Sequence, residues 1–442
     1  MPKYNIKKYG SWLIFPVAIL AAWLFSGNSV KHTIDFKEVS STIDTQNNQA
    51  FVKVLELNLE AETFYKNIDF GFKYTSFILQ FDGSKDMIDA WYRTEQKEEF
   101  KLDSIPSTDE PENVFRSPFI IPKQTQSSFN FYTGKLEGKV LLYLFYAPTL
   151  SLDISKSSKQ RKTDVGCEKP DMILGKTWRE GLPASTGTRE KNEVHFCIVH
   201  HSAGANDNHD YLNIVRNIYL LHTQTNGWDD IGYNFLIAQD GTIFEGRESQ
   251  GIDSTDNIKG AHFCGKNTGT MGICLLGNYM ETSPTEATKK SLAELLAWKC
   301  FKDGITPFGS SFHESGGATL AHIAGHRDGC STACPGDSVY QMLDSLRTQV
   351  EVKVNACNLA SMSAEGIKTL KWHYKPVLDE FVFELPVNTV FAQIYDVRGS
   401  LIRSEKVLNA EIFQWKQPTI KAGYVLFTTS NGKIFSTKFL AQ

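Results

Sequence analysis

The spacing of apolar residues changes character twice along this chain of 442 residues, and each change limits what the adjoining segment can fold into. From residue 31 to about 155, apolar and polar residues alternate in short bursts such as Phe51–Leu57, which is typical of strands with one buried face. From 167 to about 357, apolar strands alternate with helical patterns, and strands alone return after Pro376. The patterning therefore predicts a multidomain chain: an N-terminal all-β sandwich (31–155), a central α/β domain (167–358) and a small C-terminal β-sandwich (376–442).

The first 29 residues predict a signal peptide. Three lysines precede an unbroken apolar run from Trp12 to Phe25, and a short polar stretch of small residues follows it. A membrane-spanning helix needs about 20 apolar residues, so a permanent anchor is the weaker interpretation, although the lack of a clean cleavage motif leaves it open. In either case the remaining chain leaves the cytoplasm for a compartment in which disulfides are permitted.

Composition narrows the functional classes only slightly. Hydrophobic residues make up 41% of the chain, which is ordinary for a globular protein and argues against disorder throughout. The net charge of −4, from 46 basic and 50 acidic residues, gives no electrostatic reason to expect nucleic-acid binding. A polar stretch rich in serine and lysine follows the first domain and predicts a linker at 156–166.

Within the central domain, strands and helices alternate, which predicts a mixed sheet with flanking helices. The predicted strands are 194–199, 232–238 and 271–276, and the predicted helices are 210–225, 285–302 and 341–350. The first strand ends at the pair His200-His201, so these two side chains emerge at the end of a buried strand.

Three side chains of the central domain make a set that suits a metal ion. His200 follows the first strand, and His326 and Cys334 lie eight residues apart in a later loop. Two imidazoles and a thiolate are ligands that zinc prefers, and three protein ligands leave a fourth position for water, as catalytic zinc sites do. Spacing alone does not establish this assignment, because a single histidine at a strand end is more often a hydrogen-bonded residue. A structural site formed by His326, Cys330 and Cys334 is the alternative for this cluster.

Several short sequence motifs around these residues resemble those of one known family. The matching words, in chain order, are Val199-His200-His201-Ser202-Ala203, Gly227-Trp228-Asp229-Asp230-Ile231-Gly232-Tyr233-Asn234-Phe235-Leu236-Ile237, Asp240-Gly241, Glu245-Gly246-Arg247, Gly260-Ala261-His262, Gly272-Ile273, Leu276-Gly277-Asn278-Tyr279 and Gly325-His326-Arg327-Asp328. In this order they closely resemble the peptidoglycan recognition proteins and the related type 2 zinc amidases, over about Cys167 to Asn358.

The resemblance implies a zinc-dependent N-acetylmuramoyl-L-alanine amidase, which hydrolyses the amide between N-acetylmuramic acid and L-alanine in peptidoglycan. His200, His326 and Cys334 match the zinc ligands of the family, and Tyr233 matches its active-site tyrosine. Members that only bind peptidoglycan have lost the cysteine ligand, whereas this chain keeps it, which favours an enzyme. The alternatives are a non-catalytic peptidoglycan binder or sensor, and an amidase for another N-acylated substrate.

The resemblance also implies roles for residues around the ligands. Thr332 is the second candidate catalytic residue beside Tyr233. It lies two residues before the cysteine ligand, where phage-type relatives have a lysine and animal-type amidases a threonine, so this position supplies no cation. The residues that match positions lining the muropeptide groove are His222, Trp228, Asn234 and His262. His222 could equally be a surface residue, and Asn234 could instead hold the turn that follows the tyrosine.

The stem-peptide preference does not follow from the resemblance. After Glu245-Gly246-Arg247 the recognition proteins usually continue with a Gly-Trp or Asn-Phe type pair that relates to the third stem residue. This chain reads Glu248-Ser249-Gln250-Gly251 instead. A preference for diaminopimelate or for lysine therefore cannot be transferred.

The chain has eight cysteines, too few for a disulfide-dense scaffold. If Cys334 is a ligand, seven remain, and this odd number leaves at least one thiol free or paired between chains. The resemblance implies a disulfide between Cys167 and Cys300. Cys197 and Cys274 fall in apolar strands, where they are expected to be small buried hydrophobes.

Cys330 lies between two candidate ligands, and several outcomes stay open for it. It could compete for zinc, pair with Cys264 or Cys357, or remain a free thiol.

The C-terminal segment 376–442 resembles the sorting domains of type IX secretion. The matching words are Ile394-Tyr395-Asp396-Val397-Arg398-Gly399, Ala422-Gly423-Tyr424-Val425-Leu426 and Lys438-Phe439, and Asn431-Gly432 predicts a hairpin turn. This resemblance implies a Gram-negative source, type IX machinery as a partner, and a protein that is secreted, periplasmic or attached to the outer surface. A plain accessory β-domain is the alternative. We expect peptidoglycan or muropeptides as the other partner, and a monomeric protein.

Overall fold

The computed structural model describes residues 29–44, 49–82, 90–101, 105–106, 114–152, 167–364, 370–397, 399–407, 410–416, 420–429 and 434–440. The predicted linker, and all but the last residue of the predicted signal peptide, lie outside this described part. Among the described residues, no helix has both the length and the apolar composition that crossing a bilayer requires. The chain divides into two compact units; the first holds the residues up to Thr149 together with Gly181–Pro183 and Asp207–Asn226.

The helices of the described residues fall between Gly175 and Ala364. They are α1 (Gly175–Trp178), α2 (Tyr211–Leu220), α3 (Glu286–Asp303), α4 (Asp337–Gln341) and α5 (Leu343–Ala364). A single π-helical turn, Leu221–Thr225, continues α2, and short 3-10 turns occur at Thr255–Asn257, His326–Asp328 and Pro376–Leu378.

The first unit contains two β-sheets. Its strands are β1 (Ser29–Lys31), β2 (Phe36–Asp44), β3 (Gln49–Leu59), β4 (Thr63–Ile68), β5 (Ser76–Asp82), β6 (Trp91–Arg93), β7 (Glu99–Lys101), β8 (Ile105–Pro106), β9 (Val114–Arg116), β10 (Phe129–Tyr132) and β11 (Gly138–Phe145). In the described residues one sheet has the order β1-β4-β10-β6-β7, and the other has the order β2-β3-β11-β5-β9-β8. The segment that the sequence predicts to be all-β therefore contains strands along its described length.

Aromatic side chains from both sheets meet in one core. The ring of Phe77 lies 4.4 Å from that of Tyr92 and 5.2 Å from that of Phe129, measured between centroids. The alternation in the sequence explains this core, because every second side chain of a strand points to the same face. In β11, for example, Val140 and Leu142 are both buried.

Helix α2 belongs to the first unit. It begins after Asp210, whose side chain caps the helix by accepting a backbone N–H. Its polar anchor is Asn217, a fully buried residue whose Oδ1 accepts hydrogen bonds from Thr75 Oγ1 at 2.7 Å and from Ser76 Oγ at 2.6 Å. The helix predicted at 210–225 is confirmed, with its last turn, Leu221–Thr225, in π-helical form.

The central part of the second unit holds a mixed sheet. Its strands are β12 (Phe196–His201), β13 (Phe235–Ile237), β14 (Ile243–Glu245), β15 (Thr270–Leu275) and β18 (Ile323–Gly325); β16 (Ser310–His313) and β17 (Ala318–Ala321) form a separate hairpin. In the described order β14-β13-β15-β12-β18, only β14 runs antiparallel to its neighbour. The predicted central α/β domain is therefore confirmed. Every residue of β12 and β15 is buried, as expected for parallel strands covered on both faces.

Helices α3 and α5 pack into the core of this domain. Thr285 caps α3 by accepting the Thr288 N–H, and Gly304 ends it in the left-handed conformation at a φ of 67°. The observed bounds confirm the predicted helix at 285–302. The last predicted helix was placed at 341–350, but α5 continues to Ala364, because no glycine or proline interrupts its sequence.

The C-terminal part of the second unit is again made of strands. These are β19 (Trp372–Lys375), β20 (Glu380–Glu384), β21 (Thr389–Tyr395), β22 (Leu401–Lys406), β23 (Ile412–Lys416), β24 (Ala422–Thr429) and β25 (Ile434–Leu440). The described strands form the sheets β19-β20-β23 and β22-β21-β24-β25, which share one core containing Phe381, Phe427 and Phe439. The predicted turn Asn431-Gly432 lies outside the described residues, and the strands that flank it, β24 and β25, pair antiparallel.

Candidate active site

His200 and His326 are brought together by two neighbouring parallel strands. In the pairing of β12 with β18, Val199 lies opposite Gly325, so the next residue of each strand emerges at the same carboxyl edge of the sheet. These next residues are His200 and His326, whose ring centroids are 4.4 Å apart. Open α/β sheets bind ligands outside the carboxyl ends of their strands, which is where this pair lies.

Cys334 reaches the histidines through the loop that follows the 3-10 turn His326–Asp328. The loop closes on itself, because the Arg327 N–H donates to the Cys334 carbonyl at 3.0 Å. Thr332 helps to shape it, since its Oγ1 accepts the Cys334 N–H at 3.2 Å. As a result, Cys334 Sγ lies 3.7 Å from His200 Nδ1.

These three side chains form a set that fits a metal ion. One ligand atom from each of His200, His326 and Cys334 lies within 4.8 Å of the other two. At a tetrahedral zinc ion, bonds of about 2.0 Å to nitrogen and 2.3 Å to sulfur put those two atoms about 3.5 Å apart. The 3.7 Å between His200 Nδ1 and Cys334 Sγ is close to this separation. Within the described residues, His326 Nε2 is buried without a hydrogen-bond partner, which is rare unless another ligand completes the site.

Burial sets the protonation state of the set. Burial, and then the neighbouring His326 imidazole, hold the pKa of His200 well below its ordinary value, and burial lowers the pKa of His326 to about 4. Both imidazoles are therefore neutral near pH 7 and offer a lone pair to a cation. Burial raises the pKa of the Cys334 thiol to about 12, so this thiol loses its proton only when a positive charge arrives.

His262 lies directly against His200. Its Nδ1 is 3.0 Å from His200 Nε2, and its own Nε2 is 3.3 Å from Thr270 Oγ1. Burial lowers the pKa of His262 to about 3, so its ring is neutral. The Thr270 hydroxyl donates its own proton to the Asn267 carbonyl at 2.8 Å, so it accepts from His262 Nε2, and this tautomer leaves His262 Nδ1 to accept the His200 Nε2–H. The ring is only 7% exposed. Its contact with a groove ligand stays a prediction, and the structure adds a second role, that of orienting His200.

Two glycines make room for the His262 ring. A Cβ at Gly260 would lie 2.6 Å from the imidazole, and a Cβ at Gly272 would lie 2.5 Å from it. Contacts this short do not occur for real Cβ atoms, so any larger residue at either position would displace the ring. The words Gly260-Ala261-His262 and Gly272-Ile273 are thereby explained as packing around one histidine.

Tyr233 is placed beside His200, with ring centroids 5.2 Å apart. Its backbone is held by a close approach at Gly246, where a Cβ would lie 2.2 Å from the Tyr233 carbonyl oxygen. Burial, followed by the nearby Cys274 and Cys334 sulfurs, raises the pKa of Tyr233 well above its ordinary value, so the phenol keeps its proton. The predicted active-site tyrosine is therefore brought next to a predicted ligand.

Cys274 is a member of this neighbourhood that the sequence did not identify. It was expected to be only a small buried hydrophobe, and it is buried, but its thiol also hydrogen-bonds to the Tyr233 hydroxyl. The register of β12 with β15 puts Cys274 opposite His200. Aligning the two apolar strands by their carboxyl ends could have revealed this neighbour.

Asn234 does not line a groove, and its predicted substrate contact is wrong. The residue is fully buried, and its Nδ2 donates to the carbonyls of Thr255 at 2.8 Å and Ile258 at 2.7 Å. Its Oδ1 accepts the Gly272 N–H at 2.8 Å. Because its amide is used to join three backbone segments, the alternative that Asn234 holds the turn is the correct one.

His222 and Trp228, the other two residues predicted to line the groove, are both at least partly buried. His222 lies in the π-helical turn of the first unit and is 7% exposed, so the surface alternative for it is wrong. Trp228 is half-buried and packs over Gly232, where a Cβ would lie 2.8 Å from the indole. Their roles in binding stay predictions.

The predicted disulfide between Cys167 and Cys300 is wrong. Cys167 pairs instead with Cys357 of α5, at a Cα–Cα distance of 5.6 Å. Cys300 is buried on the face of α3 that packs on the sheet, where its thiol meets the Cys197 thiol of β12. The register of the helix against the sheet, which the sequence does not reveal, decides this pairing.

Cys330 forms a disulfide with Cys264. Of the outcomes left open for Cys330, this pairing is therefore the correct one. The bond also removes Cys330 as a ligand in the alternative structural site with His326 and Cys334. All eight cysteines lie in the described range 167–364, and those without a disulfide are Cys197, Cys274, Cys300 and Cys334.

Comparison with known proteins places residues 190–337 in the N-acetylmuramoyl-L-alanine amidase family. Peptidoglycan-recognition protein SC2 of Drosophila melanogaster is 32% identical over 171 residues, which are 38% of this chain and 82% of that protein. Peptidoglycan recognition protein 1 of Mus musculus is 34% identical over 173 residues, or 38% of this chain and 83% of that protein. The solved structure of wild-type Drosophila PGRP-LB is 27% identical, covers 39% of this chain and 92% of its own, and gives a TM-score of 0.32.

The similarity falls on the segment that carries His200, Tyr233, His326 and Cys334, and it spans most of the length of the two named relatives. Through this central domain, the chain belongs to the family of peptidoglycan recognition proteins and N-acetylmuramoyl-L-alanine amidases.

Proposed function

We propose that this protein is a zinc-dependent N-acetylmuramoyl-L-alanine amidase, which hydrolyses the amide between N-acetylmuramic acid and L-alanine in peptidoglycan. The observation that carries the proposal is the convergence of His200, His326 and Cys334 on one point. The buried His326 Nε2, which has no hydrogen-bond partner among the described residues, supports it. So does the match of residues 190–337 to the amidase family.

The ligand set suits a catalytic ion. His200, His326 and Cys334 would hold zinc through two imidazoles and one thiolate, and three protein ligands leave a position for water or substrate. Zinc, when bound, supplies Lewis acidity toward water and the scissile carbonyl. The disulfide between Cys264 and Cys330 argues against a closed structural site in the same loop, because it occupies the nearest additional thiol.

The residues around the ligands donate hydrogen bonds to developing negative charge and fix the orientation of the ligand side chains. Tyr233 keeps its phenol proton at neutral pH and can donate it as a hydrogen bond to the negative charge that develops on the carbonyl oxygen. His262 holds the His200 ring by accepting its Nε2–H. The His201 N–H donates to Cys334 Sγ at 3.3 Å and so stabilises negative charge on that sulfur. Since Thr332 carries no charge, Tyr233 has a larger share of the oxyanion stabilisation.

The second candidate function is peptidoglycan recognition without catalysis. It is favoured by the names of the relatives, two of which are peptidoglycan recognition proteins. Retention of Cys334 beside His200 favours the enzyme, because a recognition groove has no need of a third ligand atom at 3.7 Å from an imidazole nitrogen.

Product analysis separates the candidates. Three samples of the purified full-length protein are incubated with muropeptides: one loaded with zinc, one treated with a chelator, and one to which zinc is added back after the chelator. We expect mass spectrometry to find a stem peptide with a free L-alanine amine and a glycan with a free lactyl carboxylate, and both products should be lost with the chelator and restored with zinc. Binding without release would favour recognition, and release from a different N-acyl group would favour another amidase substrate.

We propose further that the protein is exported by a Gram-negative cell and that residues 376–442 act as a type IX sorting domain. The predicted signal peptide and the words Ile394–Gly399 support this, and the disulfides Cys167–Cys357 and Cys264–Cys330 suit an oxidising compartment. Removing 376–442 should leave the protein in the periplasm when culture fractions are compared. Unchanged release would leave the segment as an accessory β-domain.

A further inference from the structure

The disulfide between Cys264 and Cys330 lies beside the candidate active site without being one of its ligands. It joins the segment that follows His262 to the loop that runs from His326 to Cys334. Cys264 is exposed and Cys330 is half-buried. A reductant from solution can therefore reach this bond, because thiol and disulfide chemistry depends on access to a sulfur atom.

His326 faces these two sulfurs as well as the candidate active site. One ligand atom from each of Cys264, His326 and Cys330 lies within 4.8 Å of the other two. The same imidazole belongs to the set formed with His200 and Cys334. One histidine therefore belongs to two groups of potential ligands, and in one of these groups the two sulfurs are joined by a disulfide.

The two joined segments are held together by contacts other than the disulfide. Lys266 Nζ donates to the Gly329 carbonyl at 2.8 Å. The Phe263 ring packs against Gly329, where a Cβ would lie 2.2 Å from it, and its centroid is 5.9 Å from that of His326. The Cys330 N–H donates to the His326 carbonyl at 3.2 Å. Breaking the S–S bond should therefore leave both thiols close to His326.

We propose that reduction of this disulfide creates a second metal site, in which Cys264, Cys330 and His326 bind a borderline or soft divalent cation such as Zn2+ or Cd2+. Two thiolates and an imidazole are ligands that such ions prefer. With a phosphine as reductant, one water supplies the oxygen of the phosphine oxide, the S–S bond breaks, and two thiols form. With thiols as reductants, two of them become a disulfide. Metal binding then displaces the two protons of Cys264 and Cys330 into solvent.

The shared histidine gives the second site a consequence for the first. A cation held by Cys264, Cys330 and His326 competes with the set of His200, His326 and Cys334 for one imidazole. While Cys264 and Cys330 are joined by the disulfide, His326 is therefore available only to the candidate active site. This consequence rests on the proposed function, whereas the existence of the second site does not.

The test uses the full-length chain with Cys334→Ser, in which the first set has lost its sulfur. Cd2+ is the probe, because cadmium–thiolate bonds absorb in the ultraviolet, and a phosphine is the reductant, because added thiols would bind cadmium themselves. The oxidised variant should show no thiolate absorption. The reduced variant should bind about one Cd2+ per chain with the absorption of two thiolates.

A matched variant separates this site from other thiols. Reduction also opens the disulfide of Cys167 and Cys357, so the same titration is run with Cys264→Ser and Cys330→Ser added to Cys334→Ser. This triple variant should show no thiolate absorption after reduction. Equal absorption in both variants would overturn the proposal, and so would no absorption in a reduced Cys334→Ser chain that keeps its native circular dichroism.

If the Cys334→Ser chain fails to fold, the wild-type protein gives the answer. Reduction should then at least double its cadmium–thiolate absorption, and unchanged absorption would overturn the proposal. Since no step of the test measures amidase activity, failure of the second site and failure of the proposed function are seen separately.

Discussion

The imidazole of His200 has a neighbour at each ring nitrogen. Cys334 Sγ lies 3.7 Å from Nδ1, and His262 Nδ1 lies 3.0 Å from Nε2. A hydrogen bond at Nε2 fixes the proton there and leaves the Nδ1 lone pair directed at the candidate metal position. At the scale of single residues, the orientation of the candidate ligand His200 is therefore set by His262, which the sequence identified as a groove residue.

Replacing His262 should weaken zinc binding. His262→Ala removes the acceptor for the His200 Nε2–H, and loss of such a partner typically lowers metal affinity by about 10-fold to 100-fold. His262→Asn is the matched control, because its amide oxygen can still accept that N–H, and it should stay within about threefold of the wild type. Competition with a chromogenic chelator measures both affinities. An Ala variant that binds zinc as tightly as the wild type would remove the orienting role.

Zinc binding should release about one proton per ion between pH 6 and 8. The sign follows from the shifted pKa values: burial keeps His326, with a pKa of about 4, already neutral, while the Cys334 thiol, with a pKa of about 12, is still protonated. The affinity should therefore rise about tenfold per pH unit. Calorimetry in buffers of different ionisation enthalpy counts the protons. Release of none would mean that Cys334 is not a ligand or is already a thiolate.

The sequence identified residues whose chemistry shows in their type and spacing. His200, His326, Cys334 and Tyr233 were all predicted to belong to the site, and the structure brings them together. The sequence could not distinguish an asparagine amide that binds a ligand from one that hydrogen-bonds to buried backbone. Asn234 is of the second kind, and only the burial and the three hydrogen bonds of its side chain reveal this.

At the scale of elements, the site depends on the register between strands and between helix and sheet. The pairing of Val199 with Gly325 puts two histidines at one edge, and the same strand puts Cys274 opposite His200. The apolar runs predicted the strands and the helix α3, but they do not specify which strands are neighbours or which face of the helix is turned toward the sheet. The predicted disulfide of Cys300 with Cys167 is wrong for this reason. Helix α3 turns Cys300 toward Cys197 instead.

Helix α3 should depend on a buried ion pair. Lys299 is fully buried, and its Nζ lies 2.6 Å from Asp256 Oδ2. Burial by itself raises the pKa of Asp256. The Lys299 charge and its hydrogen bond help to outweigh this effect, so that the pKa falls from 3.8 to about 2. Lys299→Met removes one of the two lysines that pair with this buried carboxylate, and Lys302 Nζ remains 2.7 Å from Asp256 Oδ2. The free energy of unfolding should therefore fall by about 2 kcal/mol, less than for a buried charge left with no partner. Urea unfolding measures the change.

The control for this prediction is Lys289→Met on the same helix, whose partner Glu286 is largely exposed. Its cost should stay below about 1 kcal/mol. The folded pKa of Asp256 is the lower one, so the pair should stabilise the wild type fully above pH 3.8 and lose this contribution as the pH falls through about 2. Equal effects of the two variants would contradict a structural role for the buried pair.

At the scale of the whole molecule, the two compact units do not coincide with the three domains predicted from sequence, because the predicted central and C-terminal domains share the second unit and one helix of the predicted central domain belongs to the first. Helix α2 lies in the segment predicted as the central domain, yet it belongs to the first unit with the N-terminal sheets. The polar anchor of this arrangement is Asn217, which is fully buried and accepts hydroxyl groups from Thr75 and Ser76. Periodicity predicted the helix, but it could not predict a partner more than a hundred residues away in the chain.

Asn217→Leu should destabilise the full chain by about 2 kcal/mol, because the buried Ser76 hydroxyl loses the acceptor to which it donates. Adding Ser76→Ala should recover about half of this loss, since removing both polar partners leaves fewer unsatisfied groups. Urea unfolding followed by circular dichroism compares the two variants. A double variant less stable than Asn217→Leu would show that the hydrogen bond is not the cause.

The central claim is that Cys334 completes a zinc site that hydrolyses peptidoglycan, and one paired measurement tests it most directly. Zinc content and release of L-alanine-bearing stem peptide are determined on the same samples of wild type, Cys334→Ser and Cys300→Ala. The last is the control, because Cys300 is a buried free cysteine of the same domain that is outside the ligand set.

We predict about one zinc per chain and full activity for the wild type and Cys300→Ala. For Cys334→Ser we predict loss of zinc and at least about a thousandfold loss of activity, since the ion supplies several kcal/mol of transition-state stabilisation. A Cys334→Ser protein that keeps both its zinc and its activity would contradict the assignment.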